Sequence, residues 1–436
     1  MNTDLASQAA SSDQPLVLPR AEHHISRTRI DDNTLKVLYR LSRNGYRAYL
    51  VGGGVRDLLL GQRPKDFDVG TDATPQQIKK LFRNCFLVGR RFRLAHIRFG
   101  ADHVVEVATF RRHPGPEELP EDPSEHAFFV QNQFGTPRQD AFRRDFTINA
   151  LFYDIASFSI IDYVGGLADL TARRLRVIGN PLIRFTEDPV RMLRALEFAA
   201  RLGFAIDEPA REGIYARAPL IAEAAPARLR EEVLGLFRNG VGSQVLRRAQ
   251  AMGLLAPLMA GYEGDDQTFT LLEQVDRLTK ETGEADEALI IAALFVSRLW
   301  RRLDAAGQIP ISEVLELSGL LIGPYCNHFR IAHGLRHQAR ELLVGSYRLS
   351  RGTGRKGERR FLHHPSTPKA LQLFKLWLPI HGGDQQLAQQ WQQAIELAQD
   401  NRQSAPKQEV NSPARRPRRR SSRPSRPRRA TQRQPS

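Results

Sequence analysis

The chain has 436 residues, 41% of them hydrophobic and 26% charged, with two cysteines and a net charge of +16. Those values suit a globular chain of two or three domains with a sizeable core. Two cysteines, Cys85 and Cys326, exclude a disulfide framework, and the longest apolar run, Ala288 to Val296, is too short to span a bilayer. With no charged-then-apolar leader, a cytoplasmic protein is expected. The charge is uneven: residues 401–436 hold eleven arginines and Lys407 against Glu409 alone, a net +11.

After an N-terminal leader (1–30), residues 31–176 mix short β-type runs with helical stretches, as an α/β head does. Its densest signal is Tyr49-Leu-Val-Gly-Gly-Gly-Val-Arg-Asp57, then Lys65-Asp-Phe-Asp-Val69. A strand enters a triple-glycine turn, a brief helix follows, and a second strand carries Asp66 and Asp68. Side chains alternate along a strand, so both carboxylates share a face while Phe67 points into the core. Two like charges on one face are tolerated best beside a divalent cation, and hard cations such as Mg²⁺ take oxygen ligands and share themselves with phosphates. Glycines let backbone N–H groups approach those phosphates. An isolated Asp-x-Asp is commonly solvated turn chemistry; strand, glycine turn, helix and acid pair in that order read instead as a nucleotide-plus-metal site.

Val104-Val-Glu106-Val-Ala108 places one acid in a β-type run, where a solvent-facing residue is the plain alternative. Arg143-Arg144-Asp145-Phe-Thr-Ile-Asn149 joins two guanidiniums, suited to triphosphate oxygens, to an acid suited to a ribose hydroxyl; Asp145 or Thr147 could equally start a helix. In Glu187-Asp188-Pro189-Val-Arg191-Met-Leu-Arg194, Asp188 is expected to cap a helix whose first residue is Pro189. Arg191 and Arg194 then share a face.

Taken together, these motifs resemble the nucleotidyltransferase superfamily, in particular the class of bacterial poly(A) polymerases and CCA-adding tRNA nucleotidyltransferases. The likeness covers roughly residues 20–240. It implies a fold with an α/β nucleotidyltransferase head and all-α neck and body domains. Asp66, Asp68 and Glu106 would be the catalytic residues and hold two Mg²⁺ ions. Gly52, Gly53 and Arg56 would border the triphosphate, Arg143 and Arg144 would neutralise it, Asp145 would contact the sugar, and Asp188 and Arg191 would read the base. The basic stretch Leu87-Val-Gly-Arg-Arg-Phe-Arg-Leu-Ala-His96 and the leader Leu18 to Ser26 resemble the poly(A) polymerases. The expected reaction is then template-independent addition of adenylate from ATP to RNA 3′ ends. CCA addition is the alternative enzyme, and a catalytically silent RNA-binding protein the alternative of another class.

From Glu187 the pattern turns helical, giving a neck (177–245) and an RNA-binding body (246–400); Leu289, Ala292, Val296 and Leu299 keep helical spacing. The Arg/Pro-rich tail (401–436) has too few apolar residues to fold and should be a disordered polycation that contacts RNA, also open to protein partners. The long loop from His113 to Asp140 has no assignable role.

Overall fold

The first helix is set by its cap: Asp31 accepts the N–H groups of Asn33 and Thr34, two of the donors that a helix start leaves open. The computed structural model describes residues 14–89, 94–100, 103–118, 120, 122, 129 and 133–404. In the head these form β1 (Leu16–Leu18), α1 (Asp32–Arg43), β2 (Ala48–Val51), α2 (Gly53–Leu59), β3 (Asp68–Thr71), α3 (Pro75–Leu81), β4 (Cys85–Val88), β5 (Leu94–Phe99), β6 (His103–Thr109), α4 (Pro137–Arg143), β7 (Leu151–Asp154), β8 (Ser159–Asp162), α5 (Gly166–Thr171) and β9 (Arg174–Leu175). Eight strands make one sheet in the order β1-β8-β7-β2-β3-β6-β5-β4. Within this sheet, among the described residues, only β3 and β6 pair in parallel, with Asp68 opposite Glu106.

Alternation decides which face is covered. Val69, Ala95, Ile97, Val105 and Val107 are buried under α1 and α3, while their strand neighbours face the other way. The leader is not separate: β1 pairs with β8, and Ile25 and Ile30 are buried in the same core. One detail of the head shifts from the sequence reading. Asp66 precedes β3 rather than lying on it, because residues 66–67 lie against α2: a Cβ on Gly54 would stand 3.3 Å from the Phe67 ring. The basic stretch around β4 and β5 is described only at its ends, since Arg90, Arg91, Phe92 and Arg93 lie outside the described residues.

The neck comprises α6 (Pro181–Glu187), α7 (Val190–Leu202), β10 (Ala205–Ile206), α8 (Glu208–Arg217) and α9 (Pro226–Arg238). Its single strand, absent from the helical reading, pairs with β9 of the head. Pro189, not Asp188, takes the cap position of α7, with helical φ −61° and ψ −22°; Asp188 still accepts the Val190 N–H at 3.3 Å. The body follows as α10 (Gly242–Ala251), α11 (Leu255–Leu258), α12 (Asp266–Thr282), α13 (Glu287–Ala306), α14 (Ile311–His328), α15 (His333–Ser350), α16 (Glu358–Leu362), α17 (Thr367–His381) and α18 (Gln385–Ser404). The run from Ala288 to Val296 is buried throughout because α13 packs among α12, α14 and α15. Arg230 of α9 clasps Glu287 of α13 at 2.7 and 2.6 Å, joining neck to body. Beyond Ser404 the arginine-rich tail lies outside the described residues.

Candidate active site

Gly52 ends β2 with φ 72°, a backbone conformation that residues with a Cβ avoid. A Cβ there would also stand 3.0 Å from the Arg144 guanidinium, so the glycine lets an arginine lie over the turn. Arg144 is held by Asp140 at 3.0 Å and by the Asn149 carbonyl at 3.1 Å. Arg56, one turn into α2, is buried and donates to Asp57 and to the Asn149 side chain. Burial lowers its pKa and Asp57 opposes that.

Asp145 sits behind them. One of its oxygens accepts from Arg194 at 2.7 and 3.0 Å; the other accepts the Phe146 N–H at 2.8 Å and Asn149 at 3.2 Å. Burial alone would raise its pKa, but Arg194 holds it below the ordinary carboxylate range. The Phe198 ring, on α7, collects the guanidiniums of Arg56, Arg194 and Arg201 at 5.1–5.2 Å, within cation–π range. Asp188 is gripped through both oxygens by Arg228 of α9, at 2.9 Å each. Arg191 donates to the Arg184 carbonyl at 3.0 Å and to Glu187 at 3.3 Å.

Eight of the sequence-predicted residues, Gly52, Gly53, Arg56, Asp68, Arg144, Asp145, Asp188 and Arg191, line one cavity of about 450 Å³ between head and neck. Asp66, Glu106 and Arg143 do not line it. Arg143 lies behind its wall beside Arg111, Arg184 and Arg191; its Nε has no hydrogen-bond partner, and burial and then Arg111 lower its pKa to about 10. Arg184 donates to the carbonyls of Arg143 and Arg144 at 2.8 and 2.9 Å, fixing the end of α4 where two cations meet.

Asp68 lines the edge of the cavity. Water reaches its tip, yet the protein crowded around it makes burial the first cause of a pKa raised to about 6; Glu106 and Asp66 add repulsion, and Arg144 opposes it. Glu106 is half-exposed and turned to His96 at 3.4 Å. Among the described residues no three His, Cys, Asp or Glu side chains converge as a ready ligand shell, and Glu106 turns towards His96. The donor set is nonetheless all carboxylate oxygen, with a repelled Asp68 that a cation would relieve, and it fits a hard divalent metal.

Sequence reasoning gave no role to Arg184, Arg194, Phe198, Arg201 or Arg228. Arg194, Phe198 and Arg201 repeat at helical spacing from Arg191, a signal that was there to be used. Arg228 carries none, being 40 residues from its partner.

Residues 48–176 match the Poly A polymerase head domain, residues 203–263 the probable RNA and SrmB-binding site of polymerase A, and residues 318–429 the polymerase A arginine-rich C-terminus. Poly(A) polymerase I of Salmonella typhi is 39% identical over 96% of this chain and 94% of its own length. The chain belongs to the poly(A) polymerase I family. Another family member, from Escherichia coli O6:H1, is 41% identical over 85% of this chain and 83% of its own. The CCA-adding enzyme of Bacillus pumilus is 36% identical over 48% of this chain and 50% of its own. The fold is shared with the Bacillus stearothermophilus CCA-adding enzyme solved in complex with CTP, at a TM-score of 0.62, 24% identity and coverage of 86% of this chain and 83% of that one. As a member of the poly(A) polymerase I family the chain is a nucleotidyltransferase, and no helix among its described residues is long and apolar enough to cross a membrane.

Proposed function

We propose that the chain adds adenylate from ATP to RNA 3′ ends without a template and releases pyrophosphate. The observation that carries this reading is the register of β3 and β6, which sets Asp68 beside Glu106 at the edge of an arginine-lined cavity of nucleotide size. Arg144 neutralises the triphosphate from the cavity wall, with Arg143 adding positive charge from behind it, and Arg56, Gly52 and Gly53 border it. Asp145, oriented by Arg194 and Asn149, accepts a hydrogen bond from the ribose. Asp188 and Arg191 meet the base at the other end of the cavity. Asp66, Asp68 and Glu106 would hold two Mg²⁺ ions, whose chemistry there would be to lower the pKa of the primer hydroxyl and stabilise the leaving phosphates. Asp68 takes part as the carboxylate, the form that a bound cation favours.

The test is incubation with each single NTP on oligo(A) and on a tRNA lacking its terminal CCA. ATP alone should give a long ladder on oligo(A). Two C additions and a stop on the tRNA with CTP alone, completed by one A when ATP is supplied with it, would transfer the chain to CCA addition, and no addition on either primer would leave a silent RNA-binding protein.

A further inference from the structure

The sheet face that carries Asp68 does not end at Glu106. Cross-strand register continues the row: Glu106 faces His96 on β5, and His96 faces Phe86 on β4. Register partners point to the same side of a sheet. Asp68, Glu106, His96 and Phe86 therefore stand in one line to the sheet's edge, on the face opposite α1 and α3. This half of the face is open and unusually apolar for an exposed surface: Phe86 is 54% exposed, Val88 45% and Val104 40%. Arg98, beside them, holds its guanidinium 5.2 Å from the Phe86 ring and has no acidic partner among the described residues.

We propose that this face, centred on Phe86 and Arg98, is the platform for the RNA strand upstream of the reacting 3′ end; the proposal rests on the reading of Asp68 and Glu106 as the catalytic carboxylates. Direction supplies the occupant. The triphosphate residues flank Asp68 from the β2 side, where the glycine turn and Arg144 lie. In-line displacement requires the attacking hydroxyl to enter opposite the leaving pyrophosphate, which is the side of β6, β5 and β4. An exposed aromatic ring stacks a base of any sequence, and a free guanidinium beside it takes the phosphate.

Distance sets the register of the RNA. At about 4.8 Å per strand, Phe86 lies three strands, about 14 Å, from Asp68. At roughly 3.4 Å per stacked nucleotide that is about four nucleotides from the 3′ terminus. Phe86 is thus a binding residue for long primers and out of reach of short ones.

The experiment compares Phe86→Ala, Phe86→Trp and Arg98→Ala with the unaltered chain on A3 and A10 primers, with thermal melts as a check of folding. Phe86→Ala should raise KM and Kd for A10 by about 5- to 150-fold, the range of one lost base stack. Its KM for A3, its KM for ATP and its kcat at saturating primer should not change. Phe86→Trp should keep A10 affinity, and Arg98→Ala should flatten the salt dependence of A10 binding by a slope of about 0.7. Unchanged A10 affinity in both alanine variants, an equal loss on A3 and A10, or a changed KM for ATP would overturn the proposal. The A10 binding measurement stands apart from catalysis: an unaltered chain that binds A10 through Phe86 but adds no adenylate refutes the catalytic reading alone.

Discussion

Asp68→Asn should remove activity and stabilise the metal-free protein at the same time. A carboxyl whose folded pKa lies above its unfolded value is disfavoured in its charged form by the fold. The penalty is absent below the ordinary 3.8, grows as pH rises towards the raised value of about 6 and is fully present above it. At 1.36 kcal/mol per pKa unit the ceiling is about 3 kcal/mol. Water at the carboxylate tip screens the repulsion, so roughly 1 kcal/mol is the expected size. In a chain of this length that corresponds to a Tm rise of ~1–2 °C. Melts of both proteins in EDTA should show the variant higher at pH 8 and level with the unaltered chain near pH 4. Mg²⁺ should then raise the Tm of the unaltered chain more than that of the variant. Adenylate addition by Asp68→Asn should fall by about 1,000-fold or more, the size of several kcal/mol of lost charge stabilisation. Equal melting at pH 8, or a gain as large at pH 4 as at pH 8, would refute the repulsion argument. Activity within about tenfold of the unaltered chain would refute the assignment of Asp68.

Arg228→Ala releases Asp188 from its two-oxygen grip and should relax the preference for ATP over other NTPs more than it lowers kcat, read from single-NTP kinetics on oligo(A). Arg194→Ala leaves Asp145 without its cation and should cost about 2 kcal/mol of stability while raising KM for ATP, measured by denaturant unfolding and by steady-state kinetics. Truncation after Ser404 removes ten arginines and Lys407; primer affinity across a salt series should lose several steps of about 0.7 in slope, with addition at saturating primer nearly unchanged.

Local chemistry made much of this protein legible from its sequence. Glycines at a strand end, acids two apart, an Arg-Arg-Asp run and an acid before proline are short-range signals, because turn conformation, side-chain alternation and capping are settled within a few residues. They marked the head and eight residues that line the cavity. What joins residues distant in the chain was legible only where the family resemblance grouped them, and not from local chemistry. That Glu106 falls opposite Asp68 depends on a parallel pairing 38 positions apart, decided by burial of Val69 and Val107 on the covered face. That Asp145 is tied to Arg194 and Arg143 to the carbonyl grip of Arg184 depends on how the neck helices pack against the head, and that Asp188 is tied to Arg228 depends on how they pack against each other. Strand pairing within the head brought the leader into the sheet as β1, against β8, and set Phe86, exposed, in line with the carboxylates. Periodicity tells a strand which side faces inward; only the assembled sheet decides what its open side stands next to.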